Sequence, residues 1–257
     1  MGSGSVDPTP QPRNGLWHIY DNGVWFDRMG PTESQQEPIA SMKLPMRVQI
    51  AASLLIPAVG AVAVAAYLMG LASGRTALSL AAKPVPVLCL ALWIATRRGR
   101  YARLVAAGLL VSMIADVAIE WSFVAGLGLF LLAHLVYVAA FLTGQPPLRP
   151  LRAIPVIAVL GVAYRVVAPG LGSLKGAVVA YMAAIGTMVW RAAARVGHRG
   201  TARPAEWSAL LGAVCFAASD TLLALDRFRA PIPGAPYGII LLYWAGQLGI
   251  ALSSRAD

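Results

Sequence analysis

Charge is what this sequence has least of. Only 12% of its residues are Asp, Glu, Lys or Arg, about half the roughly 25% of a soluble domain, which excludes a chain that is mostly wetted. Cysteine is scarcer still. Cys89 and Cys215 are the two present, and both fall inside apolar runs, as small interior residues do. That spacing excludes a CxxC metal motif or a disulfide framework. Of the three histidines, His18, His134 and His198, His134 alone falls in an apolar run, which excludes a multi-histidine zinc or haem site. No Gly-rich phosphate loop follows a strand pattern, so no cofactor is expected.

What the chain has in plenty is apolar length. It is 58% hydrophobic with a mean hydropathy of +0.67. Runs of about 20 residues, each able to cross a hydrocarbon core of roughly 30 Å, recur at approximately 49–71, 77–95, 102–120, 123–142, 153–168, 174–192, 206–225 and 237–253. The expected fold class is therefore all-α: a polytopic membrane protein built as a bundle of eight transmembrane helices. Residues 1–41 stand apart. They hold Pro8, Pro10, Pro12, Pro31 and Pro38, acidic residues Asp7, Asp21, Asp27, Glu33 and Glu37, and the linker-like opening Gly2-Ser3-Gly4-Ser5. They read as a polar, flexible N-terminal tail, partly of artificial origin, ahead of a membrane domain at 42–257.

The few charges are unevenly placed. A net charge of +10 invites a nucleic-acid partner, but no basic patch interleaves with exposed aromatics, and none is expected. The arginines flank the apolar runs, where anionic headgroups are their natural neighbours. Lys43 and Arg47 precede the first run, Arg97, Arg98, Arg100 and Arg103 lie about the junction of the second and third, Arg149 and Arg152 between the fourth and fifth, and Arg191, Arg195, Arg199 and Arg203 at the turn from the sixth to the seventh. The opposite side holds Arg75, Arg165, Lys175, Arg227 and Arg229. The positive-inside rule then predicts a multi-pass protein of the cell membrane with both termini in the cytoplasm.

An ionisable residue within a span costs several kcal/mol unless it is paired or wet, so each one is a functional candidate. Lys83, Asp116, His134 and Asp220 qualify. At about 1.5 Å per residue, Lys83, Asp116 and Asp220 share one depth band in the half of the membrane away from the arginine-rich side. Tyr181, Tyr243 and Gln247 fall near that band, with His134 and Tyr137 closer to mid-membrane. Glu120 and Asp226 lie near helix ends and read as solvated. The plain alternative is structural: Lys83 pairs with one Asp as a buried ion pair, His134 is an interior histidine with its hydrogen bonds met, and the tyrosines pack. Two carboxylates for one lysine ask for more than that. The segments Gly108 to Asp116 and Gly212 to Asp220 both place an Asp eight residues after a Gly. They lie four helices apart and suit a four-plus-four parallel repeat.

Taken in order, Lys83-Pro84-Val-Pro, Ser112-Met-Ile-Ala-Asp116, Phe130-Leu-Leu-Ala-His134-Leu-Val-Tyr137, Gly212-Ala-Val-Cys-Phe216-Ala-Ala-Ser219-Asp220 with Arg227-Phe228, and Tyr243-Trp-Ala-Gly-Gln247 resemble the successive motifs of the YhhN/lysoplasmalogenase family. The resemblance runs from about residue 50 to the end. It departs at Ala115, where the family is expected to favour Gly, and the tail has no counterpart in it. The resemblance implies a metal-independent, eight-helix enzyme that hydrolyses the vinyl ether bond of a lysoplasmalogen. The products are a fatty aldehyde and a glycerophospho-ethanolamine or -choline. Its partners are the lysophospholipid substrate and membrane lipids, with no protein partner implied. Such hydrolysis passes through an oxocarbenium ion, for which two carboxylates divide the acid and base roles much as in glycosidases. Asp116 and Asp220 are then the catalytic pair, in either order. Lys83 tunes one carboxyl or binds the headgroup phosphate, and His134, Tyr137, Tyr181, Ser219, Tyr243 and Gln247 orient water or hold the glycerol. The competing class is a membrane transporter or lipid-binding protein whose Lys83/Asp116/Asp220 centre conducts rather than hydrolyses.

Overall fold

The computed structural model describes residues 16–21, 24–29, 46–198 and 202–256. The chain divides into two units near Val48. In the first, β1 (Leu16–Asp21) and β2 (Val24–Met29) pair antiparallel, with Leu16 opposite Met29 and Asp21 opposite Val24. Reading residues 1–41 as a tail passed over this hairpin. Its signal is local: an Asn22-Gly23 pair, suited to a two-residue turn, lies between segments rich in β-branched and aromatic residues. The rest of the tail, and Lys43, lie outside the described residues.

The second unit is helical. It contains α1 (Met46–Ala72), α2 (Thr76–Ala82), α3 (Val85–Ala95), α4 (Arg100–Trp121) and α5 (Phe123–Phe141). After these come α6 (Ala153–Val167), α7 (Lys175–Arg195), α8 (Arg203–Phe228) and α9 (Ala235–Leu252). Among the described residues, eight stretches are long and apolar enough to cross a membrane, and they coincide with the eight expected runs to within a few residues. α2 and α3 together make the second span. Pro84 and Pro86 bring no N–H to the helix ladder there, which interrupts it. Lys83 and Pro84 nonetheless keep right-handed helical dihedrals (φ −52°, ψ −49° and φ −77°, ψ −18°).

Packing is tightest where side chains are smallest. α8 and α9 meet through Gly212, Gly246 and Gly249; a Cβ on Gly212 would lie 2.6 Å from the Ile250 nitrogen and 2.8 Å from the Gly246 oxygen. Between helices in lipid, close backbone approach through small residues replaces the hydrophobic drive available in water. The interior of the bundle is filled by Val87, Leu109, Tyr137, Phe141, Phe216 and Ile250, all fully buried.

The arginine-rich end is built differently from the expectation of arginines lying among headgroups. Arg191 and Arg195 are buried. Arg195 donates to the Thr143 and Phe141 carbonyls (3.0 and 3.4 Å), and Arg191 to the Pro146 carbonyl (2.9 Å). Arg149 and Arg152 reach the Val196 carbonyl, and Glu206 accepts from the Gly197 and His198 amides (2.8 and 3.1 Å). These are the carbonyls that α5 and α7 leave unpaired at their C-terminal ends and in the turns beyond, where a cation also suits the helix dipole.

The seam is open to test. Gly212→Ala forces a methyl group against backbone and is expected to cost about 1–3 kcal/mol. Gly161→Ala meets nothing within 4 Å and is expected to be neutral or slightly stabilising. Thermal unfolding of the two variants in detergent checks this, and equal stability would mean that the α8–α9 contact is slack.

Candidate active site

Each of the two membrane-embedded aspartates is held by a tyrosine from another helix. On α4, Asp116 is 2% exposed, and its Oδ2 accepts from the Tyr243 hydroxyl of α9 at 2.7 Å. On α8, the Oδ2 of Asp220 accepts from the Tyr181 hydroxyl of α7 at 2.5 Å. Both lengths lie at the short end of the range for hydroxyl-to-oxygen hydrogen bonds. Tyr137 of α5 donates to Oε1 of Gln247 of α9 at 2.7 Å, and both side chains are fully buried. Tyr137 is seated by Gly108, whose absent Cβ would lie 2.3 Å from the tyrosine ring.

His134 lies beside the Asp220 group. Its Nε2 is 3.6 Å from Oδ2 of Asp220, just beyond hydrogen-bond reach. Neither ring nitrogen has a hydrogen-bond partner. The expectation of an interior histidine with its bonds met is thus corrected: the ring is held by aromatics instead. It stands edge-on to Tyr181 at 5.1 Å and tilted to Phe216 at 4.7 Å. Gln247 likewise keeps an unpartnered amide nitrogen. Phe216 packs against members of both groups, with Tyr243 at 5.2 Å and Tyr137 at 6.4 Å.

Lys83 takes a partner that sequence reading set aside. Its Nζ lies 2.5 Å from Oε1 of Glu120, so the pair is not with an aspartate, and Glu120 is not simply a solvated end residue. Glu120 follows Asp116 by four residues on the same face of α4, and Asp116 lies within electrostatic reach of Lys83, Glu120 and Asp220. That i, i+4 spacing was the available signal for Glu120. Phe216 carried a similar one, four residues before Asp220 on α8. Ser219 is not brought into the site. Its hydroxyl donates to the Ile239 carbonyl at 2.8 Å, tying α8 to α9.

The two carboxylates differ in access. Asp220 and Tyr181 line a narrow apolar cavity, about 60 Å³, between α5, α6, α7 and α8, with Phe123, Leu127, Val178 and Met182 among its walls. Asp116 stays enclosed by the bundle. Among the described residues, no three His, Cys, Asp or Glu side chains gather as metal ligands would. The arrangement can hold two carboxyl groups in different states and offer polar hydrogen-bonding atoms, from His134 and Gln247, near them.

A carboxylate–tyrosine centre buried in eight apolar spans defines a polytopic membrane protein with an intramembrane site. The model of the YhhN family matches residues 78–254, and the chain belongs to that family. Over 177 residues it is 37% identical to the lysoplasmalogenase TMEM86B of Homo sapiens, covering 67% of this chain and 73% of the relative. Over 153 residues it is 37% identical to the lysoplasmalogenase TMEM86A of Bos taurus, covering 57% and 63%. The lysoplasmalogenase of Mycobacterium bovis is 37% identical over 155 residues, covering 55% and 56%. No solved structure matches.

The ion pair yields a direct check. Lys83→Met alone leaves Glu120 unpaired and is expected to destabilise the protein more than Lys83→Met combined with Glu120→Gln. The expected coupling is about 1 kcal/mol for a pair that is partly exposed. Strict additivity in detergent unfolding would mean that the contact is incidental.

Proposed function

We propose that this chain is a lysoplasmalogenase. It hydrolyses the vinyl ether bond of a lysophospholipid within the membrane, releasing a fatty aldehyde and a glycerophospho-ethanolamine or -choline. The observation that carries this reading is the unequal placement of the two carboxyls: Asp220 at the wall of an apolar cavity, Asp116 enclosed behind it. A mostly apolar substrate with one reactive polar bond suits an apolar pocket with few, well-placed polar groups. The names of the human, bovine and mycobacterial relatives point the same way.

In this mechanism Asp220 enters protonated and gives its proton to the vinyl carbon one removed from the oxygen. The double-bond electrons form the new C–H bond, and positive charge spreads over the neighbouring carbon and the ether oxygen. Water adds to that carbon while Asp116 takes a proton from it, giving a hemiacetal. The bond from that carbon to the glycerol oxygen then breaks. Asp116 returns its proton to the glycerol oxygen, and the hemiacetal hydroxyl reprotonates Asp220 as the aldehyde leaves. General acid–base transfer of this kind needs groups within hydrogen-bond reach of the moving protons. Tyr181 and Tyr243 fix the two carboxyls, and the unpartnered nitrogens of His134 and Gln247 orient the water. Lys83 and Glu120 offer one charge of each sign to a zwitterionic headgroup. The positive-inside bias puts both termini in the cytoplasm, so the centre belongs to the half of the cell membrane facing away from it.

Purified protein is expected to release aldehyde from 1-alkenyl lysophosphatidylethanolamine, read through a coupled dehydrogenase. Asp116→Asn and Asp220→Asn should each lower turnover by at least about a hundredfold with thermal unfolding little changed. Near-normal turnover in either variant sinks the two-carboxylate mechanism. No aldehyde from folded wild-type protein that moves lysolipid across proteoliposomes would assign the centre to transport.

A further inference from the structure

The cavity at Asp220 does not end at its own walls. Leu160, Ile185, Ala217 and Thr221 line it and also line a larger groove of about 690 Å³ between α6, α7 and α8. That volume lies within the roughly 300–1,000 Å³ of small-molecule sites. From the level of Asp220 the groove reaches a short way to Leu222 and Leu225 and, over a longer stretch, toward the arginine-rich end, where Arg152, Ala193 and Leu210 border it. Its lining is apolar apart from Thr221 near the cavity and Arg152 at the far end. Its floor is kept low by Gly186, Ala217 and Ala218. α6 is fixed as its wall, because a Cβ on Gly186 would lie 2.4 Å from Cδ1 of Leu160.

We propose that this groove holds the alkenyl chain of the substrate, methyl end toward Arg152, and that its length limits the chain the enzyme accepts. The inference rests on the lysoplasmalogenase reading and adds where the chain lies and which way it points. Its occupant follows from continuity: whatever is protonated at Asp220 must extend into the space that opens from Asp220. Its length follows from the helices. At about 1.5 Å per residue, the run from Asp220 to Leu210 on α8 is roughly 15 Å, and that from Tyr181 to Ala193 on α7 roughly 18 Å. One leaflet of hydrocarbon is roughly 15 Å deep, half of a core of about 30 Å, so the groove matches an ordinary membrane lipid chain. Its closed end follows from Arg152, whose guanidinium is committed to the Ala193 and Val196 carbonyls. An alkyl terminus gains nothing by displacing a bonded charge from those acceptors. With the chain so directed, the headgroup lies on the opposite side, where Lys83 and Glu120 pair.

Val214 lines the groove but not the cavity, about 9 Å along α8 from Asp220 by the helical rise. Val214→Trp narrows the groove midway without touching either carboxyl. The measurement is kcat/KM for lysoplasmalogens with 18-carbon and 8-carbon alkenyl chains. The ratio of long to short is expected to fall about tenfold in the variant; an unchanged ratio overturns the proposal, whether both activities are kept or both are lost. A second measurement does not need hydrolysis: binding of 1-O-alkyl lysophosphatidylethanolamines of 18 and 8 carbons, whose saturated ether gives the acid no double bond. There too the variant should lose affinity for the long ether relative to the short one, and an equal loss or none overturns the proposal. Wild-type protein that shows this length-selective binding yet releases no aldehyde keeps the groove and sinks the hydrolase reading. Aldehyde release with no length-dependent change keeps the hydrolase and sinks the groove.

Discussion

A carboxyl group carried into hydrocarbon costs several kcal/mol unless another part of the protein meets its hydrogen-bonding needs. Asp116 and Asp220 meet that demand through tyrosines on other helices, α9 for the first and α7 for the second. The arrangement of the bundle follows from this requirement. A hydroxyl about 2.5–2.7 Å from its carboxylate leaves little freedom in helix rotation or sliding, so α4, α7, α8 and α9 must keep their register. The glycine seam between α8 and α9 serves the same end by bringing their backbones into contact. Ser219, tied to the Ile239 carbonyl, pins the two helices at the level of Asp220.

At the arginine-rich end the register is held by cations as well as by small residues. The buried guanidiniums of Arg191 and Arg195, with Arg149 and Arg152, bind carbonyls at the ends of α5 and α7. An arginine that supplies several donors in a fixed fork meets more than one orphaned acceptor at once. Four of the residues that give the sequence its charge asymmetry therefore also close helix ends. The topological signal and the structural role coincide because both need positive charge at the membrane boundary.

Much of this was legible in the sequence. Eight runs of sufficient length gave eight spans, since hydrocarbon tolerates no unpaired backbone and leaves few alternatives to a helix. The polar residues within those runs are countable, and helical rise assigns each an expected depth. What depth cannot give is rotation. Ser219 precedes Asp220 by one residue, yet it sits about 100° around a helix of 3.6 residues per turn and faces α9 rather than the site. The depth of Glu120 suggests water, whereas its position one turn beyond Asp116 brings it to Lys83. Which tyrosine reaches which carboxyl depends on the crossing of helices far apart in sequence, and no local pattern encodes that. The pairing of Leu16–Asp21 with Val24–Met29 is hard to read for a different reason: the composition of 41 residues outweighs a short local signal.

Two carboxyls in one enclosure tend to share a proton and titrate as a unit. Here they are kept in separate surroundings. Phe216 packs against His134 of the Asp220 group and against Tyr243 and Tyr137 of the Asp116 group, and it offers neither carboxyl a hydrogen bond. Asp220 meets an apolar cavity that continues into the groove along α6, whereas Asp116 looks toward the Lys83–Glu120 pair. One group therefore borders an apolar cavity, and the other, enclosed by the bundle, has a pair of opposite charges as its neighbours. The reaction proposed above needs both a proton for carbon and a base for water, and two aspartates held in different surroundings suit that division. The fold's contribution to the chemistry is thus to keep two chemically equal side chains unequal.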